Sequence, residues 1–272
     1  MVKQAIIPLA GLGTRLLPLS SVIPKELLPI NGKPNLEYIL EECIESGIKQ
    51  FIFVVPKNRP SIKKYFFNDN FYKKIIKKKK NDKRLKKVFK RIKRYQKMIK
   101  FVYQNKPEGT GQAVLKCKKY IKGSHFLMLL ADDLIIKKNC SKEMIALHKR
   151  TRGSVIATKK VERKTVSRWG ILGFKNRSKN SFLINEVIEK PKLSESPSNY
   201  AIIGRYILPK KILSVLKNQG KGKGGEIHIT DAIKTLVKRN EKFYGNIFKG
   251  KYIDCGTLEG FIKSSITVSK YL

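Results

Sequence analysis

The sequence has few cysteines and no long apolar segment. Its four cysteines are spread over 272 residues without the spacing of metal ligands or redox pairs, so we interpret them as reduced thiols in a cytoplasmic protein. No run approaches the roughly 20 apolar residues that span a membrane. Gly11, Gly13 and Arg15 also interrupt the N-terminal apolar run before the core of a signal peptide could form. We therefore expect no membrane partner.

Acidic residues and arginine are also scarce. The chain has 20 acidic and 60 basic residues, a formal net charge of +40, and 48 of the basic residues are lysine. Proteins that read nucleic acids favour arginine and interleaved aromatic residues, so we expect no specific nucleic-acid partner. The lysine content agrees with a bias towards A/T-rich codons, or with a surface selected to bind polyanions. In either case the positive field would attract an anionic substrate.

Apolar runs alternate with amphipathic stretches along the whole chain, which predicts an α/β fold. The run "VKQAIIPLA", a helix at 34–45 and the run "KQFIFVVP" form an opening βαβ unit. No internal repeat or long linker interrupts the later elements. We expect a single domain over 1–272 with a mixed, mostly parallel sheet and a C-terminal helix at about 258–271.

The block at 73–100 contains 16 basic residues and one acidic residue. Its apolar residues recur at helical spacing, which predicts one amphipathic helix with a solvated lysine face. We interpret it as a basic helical insert at about 70–98.

The glycine-rich stretch "AGLGTRLLP" follows the first predicted strand. It is neither a dinucleotide fingerprint nor a Walker A loop, because Leu16 stands where the third glycine would be and no Lys-Ser/Thr pair follows. Its backbone N–H groups and Arg15 can hold a triphosphate. An ordinary turn with a surface arginine is the alternative. Lys25, between Pro24 and Glu26, suits a second phosphate contact or a solvated surface position.

The combination of motifs is more specific than either motif alone. "AGLGTRLLP…IPKELLPINGKP" is followed in order by "QNKPEGTGQAVL", "LLADDLI", "WGI", "EKPK", "PSNYAIIGRY", "GGEIHITDAI" and "YIDCG". This series, from residue 2 to about 265, resembles the sugar-1-phosphate nucleotidylyltransferases. The chain resembles the uridylyl branch of this family in three features: Glu26, the helical insert and "PSNYAIIGRY".

The resemblance implies a three-layer Rossmann-like nucleotidyltransferase domain that transfers a uridylyl group from UTP to glucose 1-phosphate. It also implies a Mg²⁺ cofactor and a homodimer or homotetramer. The residues carried over are catalytic Arg15 and Lys25; nucleotide-binding Ala10, Gly11, Gly13, Thr14, Glu26, Gln104 and Gly109; sugar-phosphate-binding Gly170, Glu189, Lys190, Asn199 and Glu226; and the metal ligands Asp132 and Asp254. Asp133 is expected only to cap the segment that follows it.

Three single positions depart from the family pattern, as does the stretch "PKNRPSI" at 56–62. Ser21 stands where many uridylyl enzymes have lysine, Trp169 replaces tyrosine and His228 replaces glutamine. The alternatives are the same reaction with dTTP or another sugar phosphate, a lysine-rich polyanion-binding protein that uses the basic block, and an inactive relative. The presence of Arg15 and Lys25 argues against the last of these.

Overall fold

The first apolar run of the chain forms a central strand of a large β-sheet. The computed structural model describes residues 1–271, apart from the side chains of residues 176 and 223; Leu272, the last residue of the predicted domain, lies outside the described residues. Strand β1 (Gln4–Pro8) pairs in parallel with a strand on each side, and Ala5, Ile6 and Ile7 are fully buried. A strand covered on both faces is expected to be continuously apolar, as β1 is from Ala5 to Pro8.

The remaining elements alternate between strands and helices along the chain. The other strands are β2 (Pro29–Ile30), β3 (Lys33–Pro34), β4 (Gln50–Val55), β5 (Ile99–Tyr103), β6 (His125–Leu129), β7 (Asp133–Ile136), β8 (Ser154–Lys160), β9 (Gly170–Arg177), β10 (Ser181–Glu189), β11 (Tyr200–Pro209), β12 (Phe243–Ile247) and β13 (Lys251–Asp254). The α-helices are α1 (Asn35–Glu45), α2 (Ser61–Phe66), α3 (Asp69–Lys78), α4 (Lys83–Gln96), α5 (Thr110–Lys116), α6 (Cys140–Thr151), α7 (Ile212–Lys217), α8 (Ile229–Lys238) and α9 (Leu258–Ser269). Short 3-10 turns lie at Thr14–Leu16, Leu19–Ser21, Lys25–Leu27, Lys118–Tyr120, Arg163–Arg168, Leu193–Glu195 and Lys223–Gly225.

The main sheet is mixed. Within residues 1–271 it has nine strands in the order β5-β4-β1-β6-β11-β8-β12-β10-β9. β11 runs antiparallel to β6 and β8, and β10 runs antiparallel to β12 and β9, whereas the other neighbours are parallel. All strands except β10 and β11 therefore point the same way. The predicted α/β class with a mixed, mostly parallel sheet is confirmed.

Helices cover both faces of this sheet and complete three layers. Ile7 belongs to a core cluster shared with α1, α2, α4 and α6, while Ile6 belongs to a cluster shared with α5, α7 and α8. Successive residues of a strand point to opposite faces, so one strand contributes to both cores. This confirms the three-layer arrangement.

The basic block forms two helices and not the single helix that its periodicity predicts. α3 ends at Lys78, and the Asp82 carboxylate accepts a hydrogen bond from the Leu85 amide (2.9 Å), which caps the start of α4. An aspartate in this position stabilises a new helix start, so it separates the two segments. Arg91 of α4 lies 2.8 Å from the fully buried carboxylate of Glu37, which ties α4 to α1.

Several elements of the structure have no counterpart in the sequence predictions. Helix α6 begins where the Asn139 side chain accepts from the Lys142 amide (2.9 Å). β2 and β3 form a hairpin around Asn31 and Gly32, both with positive φ. β7 and β13 form a separate two-stranded sheet beside the main one.

The C-terminal helix α9 starts where it was predicted. The Thr257 hydroxyl accepts from the Gly260 amide (3.1 Å) and caps it. Its outer side exposes Leu258, Ile262 and Ile266. Among the helices of residues 1–271, none has the length and apolar content needed to cross a membrane.

Candidate active site

The glycine-rich loop turns sharply at the carboxyl end of β1. Gly13 has φ 70°, in the left-handed region that glycine adopts without strain, and a 3-10 turn follows at once and carries Arg15. The Ser20 hydroxyl donates to the Gly13 carbonyl (2.8 Å) and holds the loop in place. The loop therefore presents its backbone and Arg15 at the edge of the sheet where α/β proteins bind ligands.

A cavity of about 470 Å³ opens at this edge. Most of the predicted site residues line it: Ala10, Gly11, Gly13, Thr14, Arg15, Lys25, Glu26, Gln104, Gly109, Asp132, Lys190 and Glu226. A second cavity of about 440 Å³ lies between α1, β7 and α9. Only the first brings the glycine-rich loop together with cations from distant parts of the chain, so we take it as the candidate site.

Opposite charges meet in the wall of the cavity. Lys25 Nζ lies 2.5 Å from Asp132 Oδ2, and the Arg15 guanidinium lies 3.7 Å from Asp132 and 3.9 Å from Asp254. Burial opposes the charged form of Lys25, but Asp132 and Glu26 raise its pKa above the ordinary value. Burial likewise opposes the ionised form of Asp132, but Lys25 and Arg15 hold its pKa below the ordinary value. Both groups are therefore charged at neutral pH.

Gly256 allows the two predicted metal ligands to approach one point. A Cβ atom added there would lie 2.9 Å from Asp132 Oδ2, 3.2 Å from Asp254 Oδ1 and 2.9 Å from Arg15 Nη2. Within residues 1–271 no group of three potential metal-ligating side chains is found. A pair of carboxylates that face common space suits Mg²⁺, which takes its remaining ligands from water and phosphate oxygens.

Two of the predicted base-binding residues, Gln104 and Gly109, are in direct contact. The Gln104 amide donates to the Gly109 carbonyl (3.3 Å). Gly109 has φ 99°, and a Cβ atom there would lie 2.6 Å from the Ile227 carbonyl oxygen, so only glycine fits. Glu226 also lies beside Gly109, because a Cβ atom added to Gly109 would be 3.0 Å from the Cβ of Glu226.

Glu26 is the least exposed of the charged residues that line the cavity, at 2%. Burial raises its pKa to about 7, although the charge of Lys25 acts in the opposite direction. The family resemblance predicts Glu26 as a nucleotide-binding residue, but nothing in the sequence indicates that its carboxyl group is buried.

The predicted sugar-side residues are only partly brought together. Gly170 and Glu189 are partners in the β9–β10 register, and a Cβ atom on Gly170 would lie 3.1 Å from Glu189 Oε2. Lys190 follows directly, has φ 47° and lines the cavity. Asn199 is not a lining residue; its side chain donates to the Val161 carbonyl (3.1 Å).

Asp133 does not cap the segment that follows it, so that expectation is wrong. Its carboxylate accepts from the Tyr252 hydroxyl (2.6 Å) and from the Gly204 amide (3.0 Å). Burial and the neighbouring Asp132 carboxylate raise the pKa of Asp133 to about 6. No local sequence signal predicts these contacts, because they join residues from three separate strands.

The three single residues that depart from the family pattern do not line the cavity. The Ser21 hydroxyl donates to the Pro18 carbonyl (2.6 Å). The Trp169 and Tyr252 rings are in edge contact with centroids 6.1 Å apart, and His228 precedes α8.

The chain is similar to known proteins over nearly its whole length. A family model described as nucleotidyl transferase matches residues 4–270. The chain is 38% identical over 266 residues to UTP–glucose-1-phosphate uridylyltransferase 2 of Staphylococcus saprophyticus, covering 97% of this chain and 91% of the relative. It is 36% identical over 271 residues to the corresponding protein of Streptococcus pyogenes, covering 97% and 89%.

Solved structures are similar over the same extent. A UDP-glucose pyrophosphorylase complexed with UDP-glucose has a TM-score of 0.88 and 34% identity, with 100% of each chain covered. A UTP-bound UGPase from Acinetobacter baumannii has a TM-score of 0.88 and 31% identity, with 98% of this chain and 93% of the other covered.

Proposed function

Because the chain belongs to the nucleotidyl transferase family, we propose that it transfers the uridylyl group of UTP to glucose 1-phosphate and releases pyrophosphate. The names of its relatives support this pair of substrates. One observation carries the proposal: Arg15 and Lys25 line a single cavity with Asp132 and Lys190, which lie far from them in sequence. This is the arrangement that a reaction between two anions requires.

The main obstacle to this reaction is electrostatic. The phosphate of glucose 1-phosphate is already ionised at neutral pH, so its attack on the α-phosphorus of UTP needs no general base. Two negatively charged reactants must nevertheless meet, and further charge develops on the departing pyrophosphate. Catalysis therefore depends on positioning and on preorganised cations.

Arg15 and Lys25 are proposed to stabilise this developing charge. The separations of Arg15 from the two carboxylates exceed hydrogen-bond lengths, so its N–H groups can turn towards a phosphate oxygen. Lys25 is held by Asp132, which fixes its ammonium group at the cavity wall. A cation that is already in place needs no reorganisation during the reaction.

Enzymes of this family generally use a divalent metal ion. We propose Mg²⁺ held by Asp132 and Asp254, since two carboxylates that face common space fit its preference. When bound, Mg²⁺ would neutralise and align the phosphate groups of both substrates. The two aspartates would hold the ion, and Arg15 would remain beside them.

The rest of the cavity is proposed to divide between uracil and sugar. The Gln104 amide can both donate to and accept from a pyrimidine edge, and the backbone of Ala10, Gly11 and Gly109 lies nearby in the cavity wall. Gly13, Thr14 and Glu26 would complete the nucleotide side. Lys190 would bind the sugar phosphate, with Glu189 accepting from glucose hydroxyls, Gly170 allowing close approach, and Asn199 and Glu226 as further contacts.

A direct assay tests the proposal. The purified protein with UTP, glucose 1-phosphate and Mg²⁺ should form UDP-glucose and pyrophosphate in equal amounts, and Asp254→Asn should reduce the rate strongly. Higher kcat/KM with dTTP than with UTP would overturn the uridylyl assignment. Absence of product, together with salt-sensitive nucleic-acid binding that Arg15→Ala leaves unchanged, would favour the polyanion-binding alternative.

We also propose that the chain forms a homodimer or homotetramer in the cytoplasm. The exposed residues Leu258, Ile262 and Ile266 on one side of α9 support self-association. Light scattering of the purified protein should give two or four times the monomer mass; a monomer at assay concentrations would contradict this.

A further inference from the structure

The two proposed metal ligands lie on different segments. Asp132 lies between β6 and β7, and Asp254 is the last residue of β13. These segments meet in the small β7–β13 sheet, where Asp254 lies opposite Asp133 and the Cys255 amide donates to the Asp132 carbonyl (2.8 Å). The separation of the two ligand carboxylates therefore depends on how β13 is held against β7.

A side-chain hydrogen bond adds to this short pairing. The Tyr252 hydroxyl donates to Asp133 Oδ1 at 2.6 Å. Tyr252 precedes Asp254 by two residues on the same strand, so both side chains lie on one face of β13. Burial and the nearby Asp133 carboxylate raise the pKa of Tyr252 well above its ordinary value, so its hydroxyl remains a donor at neutral pH.

The second oxygen of Asp133 connects the small sheet to the main sheet. Asp133 Oδ2 accepts from the Gly204 amide of β11 (3.0 Å). A Cβ atom on Gly204 would lie 2.3 Å from that oxygen, so glycine is required for this contact. The Gly204 carbonyl in turn accepts from the Leu130 amide (2.8 Å), just before Asp132. Asp133 thus joins both ligand-bearing segments to a central strand.

We propose that Asp133 and Tyr252 form a positioning pair that sets the separation of the Asp132 and Asp254 carboxylates and thereby the affinity for the divalent ion. This inference rests on the proposed function. Neither residue lines the cavity, so the pair acts through the two ligands. Residues that orient metal ligands typically contribute about 10- to 100-fold to metal affinity or activity.

The test uses Mn²⁺ as the probe and Tyr252→Phe as the variant. This change removes the hydroxyl but keeps the aromatic ring. We expect the apparent Kd for Mn²⁺, measured from the EPR signal of the free ion with the substrate-free protein, to rise about tenfold. Tyr65→Phe is the matched control, because the Tyr65 hydroxyl also donates to a buried carboxylate, that of Glu37 on α1. It should leave the Kd unchanged within about twofold.

A kinetic split separates positioning from general damage. At saturating Mn²⁺, Tyr252→Phe should recover the wild-type rate, with unchanged KM for UTP and for glucose 1-phosphate. Unchanged Mn²⁺ affinity in Tyr252→Phe, while Asp254→Asn binds weakly, would overturn the positioning role alone. An equal loss in Tyr65→Phe would also overturn it. Equal Mn²⁺ binding by wild type and Asp254→Asn would overturn the proposed metal site and this inference with it.

Discussion

Replacement of Arg15 by alanine should separate catalysis from stability. The Arg15 side chain is 58% exposed, and its guanidinium lies 3.7 Å and 3.9 Å from the carboxylates of Asp132 and Asp254. Exposed ion pairs contribute about 0–1 kcal/mol to stability, so the free energy of unfolding should change by no more than about that amount. The effect on the rate should be larger than the effect on stability. The charge of the transition state develops inside the cavity, next to a cation that is already in place.

The expected kinetic loss is much larger. Removal of one preorganised donor typically lowers kcat by about 10²–10³, or roughly 2.7–4 kcal/mol, and we expect a loss in this range for Arg15→Ala. Arg15→Lys should recover part of it, because lysine keeps the charge but loses the planar fork. Pyrophosphate release at saturating Mg²⁺ measures the rate, and urea unfolding measures the stability.

Arg239→Ala provides the control for this prediction. Arg239 is an exposed arginine that follows α8 and does not line the cavity. Its replacement should alter neither rate nor stability appreciably. A kcat for Arg15→Ala within about threefold of wild type, or a loss matched by Arg239→Ala, would refute the assignment of Arg15 to the reacting phosphate.

Three further changes test two residues of the site and one buried ion pair outside it. Lys190→Ala should raise the KM for glucose 1-phosphate and leave the KM for UTP unchanged in steady-state kinetics; an effect confined to UTP would contradict its role. The folded-state pKa of Glu26, about 7, lies above its ordinary value of 4.5, so its contribution to stability is fully present below pH 4.5 and is lost as the pH rises through 7. Glu26→Gln should remove this pH-dependent part of the free energy of unfolding, on the order of 3 kcal/mol, as measured by urea unfolding at several pH values. The same pH dependence in wild type and Glu26→Gln would contradict the raised pKa of Glu26. Glu42→Ala leaves the fully buried Arg205 without its 2.9 Å partner and should lower the free energy of unfolding by about 3–5 kcal/mol in the same assay, whereas a loss below about 1 kcal/mol would show that the pair is not needed.

Local patterns predicted most elements because they record how each segment is buried. After an initial glutamine, β1 and β4 are continuously apolar, because both faces of these strands are covered. The family resemblance is confirmed, and most of the residues it implied line one cavity. Ordered motifs were informative here because phosphate binding requires particular residues at the turns that follow strands.

The failures were of two kinds: capping residues that start a new helix, and residues whose partners are distant in sequence. The lysine-rich periodicity predicted one helix, but Asp82 starts a second. Asp133 resembled a local cap, whereas its partners lie on β11 and β13. Helix α6 carried a capping residue, Asn139, that could have predicted its start.

The sequence by itself determined the alternation of strands and helices, the turn that carries Arg15 and the family of the chain. These properties follow from short stretches, since burial pattern, glycine and charge act over a few neighbouring residues. Only the tertiary structure decided that Lys25 meets Asp132, that Glu26 is buried and that Tyr252 holds Asp133. Such contacts depend on the order in which strands pair, because that order determines which distant side chains share one cavity.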